Sequence, residues 1–314
     1  MPFAATLNRA VTLTPPAPRG HTAPRGDTGR VAGRVAGYDV LTQLGEGAAS
    51  RLYLVQDRTG RRFAMKWVPK RSADDQRFVE QAVTEHRVAA NFDSPRLRRS
   101  LKVIPVGPVW KRSGVAVLLE YIDGRPLDAA LPADHAERCR AFRGLAEALR
   151  TMHAANYVHA DLKPANVLIA RGTGSVGGRV KLIDFGQSCP LGTRKERVQG
   201  TPDYIAPEQL RRGPVDQRTD VYGFGAVLYD LLTGEKASRA MARRKLERTA
   251  GMRVEAGGAA RPAPVRSLAP DTVPALAALV DACLASNPKR RPSDMAAVVE
   301  RLTYATHQCR RAVA

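Results

Sequence analysis

The feature that most constrains this chain is a pair of short apolar runs, NVLIA from Asn166 and RVKLID ending at Asp184, joined by the turn GTGSVGG. Runs of this length punctuated by glycine read as the two strands of a hairpin. A hairpin folds its outer ends together, so Asn166 and the polar stretch before it meet Asp184 and the glycine that follows. The fold must therefore deliver Asp161, Lys163, Asn166 and Asp184 to one place, and that place is expected to be a cleft.

Around this hairpin the chain changes character. From Tyr38 come YDVLTQLGEG, SRLYLVQD and RRFAMKWV, read as three consecutive antiparallel strands. Over residues 74–91, Phe78, Val79, Ala82, Val83 and Val88 recur at roughly helical spacing, and strands near 101–106 and 115–121 follow. Beyond Gly124 the pattern is mainly helical, with helices expected over 135–155, 219–233, 273–285 and 294–304. The expected class is α+β: a small antiparallel β-lobe with one helix, and a larger α-rich lobe, sharing a cleft. A length of 314 residues suits one such unit. The expected organisation is a basic, Pro/Gly-rich leader without structure over 1–37, a domain over 38–304 divided into 38–122 and 123–304, and a short tail over 305–314. Residues 237–270, rich in Arg, Gly and Pro, read as a helix followed by a solvated surface loop.

The formal net charge of +20 favours attraction to polyanions in general. No zinc-finger spacing or RNA-binding aromatic motif accompanies it, so specific nucleic-acid binding is not indicated. Cys139, Cys189, Cys283 and Cys309 are scattered, which suggests neither zinc nor a disulfide framework and fits a reducing compartment. No apolar run approaches the ~20 residues needed to span a bilayer. The Pro-Pro and Pro-Arg-Gly steps interrupt any amphipathic transit helix near the N-terminus. The expected location is the cytoplasm; the oligomeric state is left open.

Three groups of residues point to chemistry. Gly45-Glu46-Gly47-Ala48-Ala49-Ser50 lies in the turn between the first two strands, where glycines let backbone N–H groups approach phosphate oxygens. Lys66 ends the third strand and Glu85 follows nineteen residues later on the helix, a cation for phosphate charge and a carboxylate to hold it. In His159-Ala160-Asp161-Leu162-Lys163-Pro164-Ala165-Asn166, with Asp184-Phe185-Gly186, Asp161 suits a base that orients a hydroxyl. Lys163 suits a cation beside a migrating phosphoryl group, and Asn166 and Asp184 suit oxygen ligands for Mg²⁺.

Together these motifs resemble the eukaryotic-type protein kinase family, of the soluble serine/threonine kind, over about Tyr38 to Leu302. The resemblance implies ATP and Mg²⁺ as cofactors and Ser/Thr hydroxyls of proteins as acceptors. It implies that Leu44 heads the nucleotide loop and that Leu52, Ala64 and Leu168 enclose the adenine. It also implies a gatekeeper at Leu119 and a hinge at Glu120-Tyr121-Ile122. Gly200-Thr201-Pro202-Asp203-Tyr204-Ile205-Ala206-Pro207-Glu208 resembles the family's substrate-binding loop, with Thr201 contacting Asp161 and Lys163. Asp220 resembles the helix-F aspartate, and Arg291 the arginine that pairs with Glu208.

Three departures bear on mechanism. Ser50 replaces the third glycine of the loop. Ala160 replaces the usual arginine before Asp161, so activity is expected not to depend on a phosphate docked onto the catalytic loop. Ser188, Thr193 and Thr201 remain as hydroxyls, with Arg194, Lys195 and Arg197 available to pair with a phosphate on Thr193. Ala89 stands where the family places a larger apolar residue against Phe185, which predicts a loosely packed helix. Two other readings fit the motifs less well. A pseudokinase scaffold has no need for Lys66, Asp161, Asn166 and Asp184 together. A small-molecule kinase of the aminoglycoside or choline type has no need for Lys163 or the GTPxYxAPE segment.

Overall fold

The computed structural model describes residues 33–47, 49–107, 113–239 and 261–311. Contacts divide the chain into two compact units, one running to Arg87 and resuming over Arg99–Tyr121, the other holding Val88–Arg98 and the chain from Ile122. Most of the expected leader, and the centre of the Arg-rich stretch at 240–260, lie outside the described residues.

The first unit is one antiparallel sheet. Its strands are β1 (Arg34–Val35), β2 (Tyr38–Gly47), β3 (Ser50–Gln56), β4 (Arg62–Pro69), β5 (Ser100–Val106) and β6 (Gly114–Glu120), in the order β1-β2-β3-β4-β6-β5. Period-2 alternation gives the sheet two apolar faces. On one, Val40, Val55, Phe63, Met65, Ala116 and Leu118 pack together. On the other, Ala64, Val68, Val115, Val117 and Leu119 receive Phe78, Val79 and Ala82 of helix α1 (Gln76–Ala89). The register sets Ala64 opposite Leu119, and Lys66 opposite both Leu52 and Val117. The three strands and the helix expected from the sequence are all present.

The second unit is built on α2 (His135–Ala154) and α4 (Gln217–Thr233). Asp134 caps α2 by accepting from the Glu137 N–H at 2.6 Å. The helix buries Phe142, Leu145, Leu149 and Met152 completely. Gly144 is required there, because a Cβ would lie 2.3 Å from the Gly177 carbonyl oxygen. In α4, capped by Asp216 and ended by left-handed Gly234, every residue from Thr219 to Tyr229 is buried. A helix apolar nearly all round belongs at the centre of its unit.

The expected hairpin is β9 (Val167–Ala170) with β10 (Val180–Leu182), extended by β7 (Gly124–Pro126) into a three-stranded sheet. A further pair joins β8 (Tyr157–Val158) to β11 (Cys189–Pro190). The short helices α3 (Pro207–Leu210) and α5 (Val265–Leu268), and then α6 (Pro274–Cys283) and α7 (Met295–Arg311), complete the unit. The β-sheet unit and the helical unit give the expected α+β class.

Two details differ from the sequence reading. Helix α7 runs on to Arg311 rather than ending near 304, because Leu302, Ala305, Thr306 and Cys309 continue its buried stripe. Its Cys309 Sγ lies 3.9 Å from Cys139 Sγ of α2, both as free thiols. The looseness expected at Ala89 is also absent: Ala89 is buried in one cluster with Phe185, and Phe92 meets the Phe185 ring edge-on at 5.7 Å, supplying the volume. Among the described residues no helix is long and apolar enough to cross a membrane.

Candidate active site

In the first unit, Lys66 Nζ donates to Glu85 Oε2 at 2.6 Å, with the Glu85 side chain 1% exposed. An ammonium this close to a buried carboxylate is fixed in position by charge-assisted hydrogen bonding. The β2–β3 turn carries the glycine-rich motif, with Gly45 opposite Leu52, Glu46 opposite Arg51 and Gly47 opposite Ser50. Nothing lies within 4 Å of where a Cβ on Gly45 would sit, and its backbone is not left-handed. The fold itself does not demand glycine at 45; an approaching phosphate would. Leu44 is exposed, Ala64 and Leu119 are buried, and Leu52 and Glu120 are partly buried. Ala49 is partly buried and Ala48 lies outside the described residues.

In the second unit, the loop from His159 to Asn166 is held by Asp220 of α4. Its Oδ2 accepts from the His159 N–H at 2.8 Å and lies 2.8 Å from His153 Nε2, while Oδ1 accepts from the Ala160 N–H at 2.9 Å. Burial works to raise the Asp220 pKa, but the hydrogen bonds from His153 and the Ala160 N–H hold it below the usual carboxylate range. His159 Nε2 lies 3.3 Å from the Ile183 carbonyl oxygen, and its Nδ1 accepts from the Asp161 N–H at 3.3 Å. Gln209 Nε2 donates to the Ala160 carbonyl at 2.9 Å. Ala160 (φ 61°) and Asp184 (φ 66°) both adopt left-handed backbone, which non-glycine residues hold only where surrounding contacts enforce it.

This frame brings the predicted polar residues together. Thr201 Oγ1 donates to Asp161 Oδ1 at 2.7 Å, and Lys163 Nζ lies 3.4 Å from Asp161 Oδ2. Asn166 Nδ2 donates to the Asp161 carbonyl at 2.9 Å, so its amide oxygen, not its nitrogen, is the atom that could hold a cation. The Ile183 N–H to Asn166 carbonyl bond, 2.9 Å, sets Asp184 beside Asn166 at the end of the β9–β10 hairpin. Leu168 of β9 is partly buried, as is Ile122. Glu208 and Arg291 form a two-pronged pair at 2.7 and 2.8 Å, with the Arg291 side chain fully buried.

Sequence reasoning missed several supporting groups. His153 shares the buried face of α2 with Leu145 and Leu149, and a histidine at that spacing on an apolar face was the available signal. Tyr204 donates to Asp230 Oδ2 at 2.6 Å, with Lys236 bound to the same carboxylate. Lys195, expected at the surface as a partner for a phosphate on Thr193, instead turns inward and donates to the Gln187 carbonyl at 2.6 Å. Ser188, read as a modifiable hydroxyl, is buried and donates to the His159 carbonyl at 3.3 Å.

Known proteins resemble this chain in sequence. The chain is 34% identical over 265 residues to the serine/threonine-protein kinase PknJ of Mycobacterium tuberculosis, covering 82% of this chain and 42% of PknJ. It is 33% identical over 217 residues to a probable serine/threonine-protein kinase of Streptomyces coelicolor, covering 65% of this chain and 31% of that protein. It is 28% identical over 215 residues to the serine/threonine-protein kinase PrkC of Bacillus subtilis, with 65% and 31% covered. The matches thus span about a third to two-fifths of these relatives' lengths. A family model described as the protein kinase domain matches residues 38–303. With a match of that extent, the chain belongs to the protein kinase domain family.

Proposed function

We propose that this chain is a serine/threonine protein kinase that transfers the γ-phosphoryl group of ATP to Ser/Thr hydroxyls of proteins. The observation that carries this reading is the Thr201 hydroxyl donating to Asp161 Oδ1 at 2.7 Å with Lys163 on the other carboxylate oxygen. Asp161 is thereby seen accepting a hydrogen bond from an alcohol, which is what a base for this reaction must do.

In the proposed reaction the acceptor oxygen bonds to the γ-phosphorus and the bond to the bridging oxygen of ADP breaks. Asp161 accepts the hydroxyl proton, and Lys163 balances charge on the transferring group. Lys66, fixed by Glu85, takes charge of the nucleotide phosphates. The open space at Gly45 supports close approach of the turn's backbone, and Leu44, Leu52, Ala64, Leu119, Glu120, Ile122 and Leu168 are assigned to the adenosine. The oxygen donors Asn166 and Asp184 suit Mg²⁺, which when bound neutralises phosphate charge. Four free cysteines and the need for ATP support action in the cytoplasm. The test is incubation of the purified protein with labelled ATP, Mg²⁺ and candidate proteins, followed by phosphosite mapping. Label on Ser or Thr is expected, and its absence from every protein tested, including the chain itself, would overturn the reading.

A further inference from the structure

The stretch between Thr193 and Gln199 holds three basic side chains that behave differently. Arg194 and Arg197 are exposed. Lys195 is drawn into the protein, with its ammonium on the Gln187 carbonyl at 2.6 Å. Removing a cation from water is unfavourable unless polar or charged groups compensate. That loss pushes the Lys195 pKa down, and the surrounding Cys189, Asp161 and Asp220 act in the opposite sense. An ammonium turned inward onto a backbone carbonyl, in a stretch where Arg194 and Arg197 stay exposed, calls for a reason beyond solubility.

The segment's anchors supply one. From Asp184 to Thr193 the backbone is well secured: the Ser188 N–H reaches the Phe185 carbonyl, β11 pairs with β8, and Thr193 and Val215 are joined at 3.0 Å. From Gln199 onward, Gln209 takes hold through the Gln199 and Ala160 carbonyls. Between these stretches, side-chain anchoring comes from Lys195 and from a long 3.5 Å contact of Arg212 with the Glu196 carbonyl. The residue before Asp161 is Ala160, which offers no cation of its own.

Resting on the kinase reading above, we infer that Lys195 is a positioning residue, the built-in cation of this segment. By tying residue 195 back to Gln187, next to the Asp184–Gly186 turn, it keeps Thr201 and Asp161 in register with no phosphate on the segment. The same bond withdraws Lys195 from any phosphate on Thr193 and leaves Arg194 and Arg197 as that phosphate's partners.

The test uses the full chain, before and after phosphatase treatment, with wild type, Thr193→Ala, Lys195→Met and Lys195→Arg. Phosphatase and Thr193→Ala are expected to leave kcat within about threefold of wild type. Lys195→Met is expected to lower kcat for a protein substrate by about twentyfold or more, with the KM for ATP changed by less than about twofold. Lys195→Arg, which keeps the charge and a donor, is expected to recover most of that loss. Trypsin should cut Lys195→Met after Arg194 or Arg197 several-fold faster than wild type. If Lys195→Met does not purify folded, Lys195→Gln, a donor without charge, takes its place under the same criteria. Wild-type rates in Lys195→Met, an arginine variant as poor as the methionine one, or loss of activity on phosphatase treatment would each overturn the inference. A wild type inactive in every state would instead overturn the kinase reading, and the trypsin rates alone would then decide the role of Lys195.

Discussion

In the catalytic loop the His159 and Ala160 N–H groups, the Ala160 carbonyl and the Asn166 amide all have partners within the protein, and both oxygens of Asp220 are engaged. In the turn from Gly45 to Ser50, the backbone is held by its own two-strand ladder, Glu46 and Gly47 are exposed, and the side-chain contact is a surface pair of Glu46 with Arg51 at 3.3 Å. Both motifs are assigned to the same reaction, yet one is fixed by buried polar bonds and the other is left open. The difference follows from what each must do. A base has to be held within tenths of an ångström of its proton. A loop that covers a nucleotide has to let it enter and leave, which draws on regions of low local stability.

The largest expected effects fall on chemistry. Asp184→Asn and Lys66→Met should each lower phosphoryl transfer at least a hundredfold, about 2.7 kcal/mol of barrier. Their stabilities should separate them. Lys66→Met takes the ammonium from a carboxylate that is 1% exposed and is expected to melt lower, whereas Asp184→Asn should melt near wild type. Turnover with labelled ATP and thermal melting read both at once, and wild-type turnover in either folded variant would break the assignment.

Next comes the frame of the second unit. Arg291→Ala leaves Glu208 without its two-pronged partner and removes bonds to the Ala285 and Arg218 carbonyls. Breaking a buried pair of this kind costs about 3–5 kcal/mol. An unchanged melting temperature would show that the pair contributes no net stability.

Asp220→Asn keeps the shape but has one acceptor oxygen for the two backbone N–H groups and His153, an expected loss of about 1–3 kcal/mol. The pH dependence adds a second reading. A carboxyl held below its ordinary range contributes stability that is fully present above the unfolded-state pKa and is lost as pH falls through the folded-state value. Wild type should therefore lose stability on acidification more steeply than Asp220→Asn. Parallel melting curves against pH would rule Asp220 out as the source.

What could be read in advance divides along the same line. The hairpin from Asn166 to Asp184 was legible because glycine-bounded apolar runs have a local cause, and the helix over 74–91 because its spacing has one. The support beneath the catalytic loop was not. Asp220 meets His159 some sixty residues away in sequence, and Gln209 meets Ala160 across forty-nine, so no window of sequence contains the bond. The inward turn of Lys195 was missed for a related reason. A lysine in the run Arg194-Lys195-Glu196-Arg197 reads as surface, and the carbonyl it turns to, that of Gln187, lies before the strand β11.

A single methyl group tests the open turn. Gly45→Ala adds a methyl group that meets no protein atom within 4 Å, at a position without left-handed backbone. Stability should therefore stay within about 0.5 kcal/mol of wild type, the usual range for surface substitutions. If the turn's backbone approaches phosphate as proposed, the same methyl group stands between them, and the KM for ATP should rise several-fold, by less than about 1.4 kcal/mol of binding. The matching change in the catalytic loop's frame, Asp220→Asn, should do the reverse, lowering stability and kcat with little change in that KM. Melting and ATP-dependence measured on both variants form a two-by-two comparison. A destabilised Gly45→Ala with an unaltered KM would mean that the fold, not the nucleotide, requires glycine at 45, and the contrast between the open motif and the fixed one would fall.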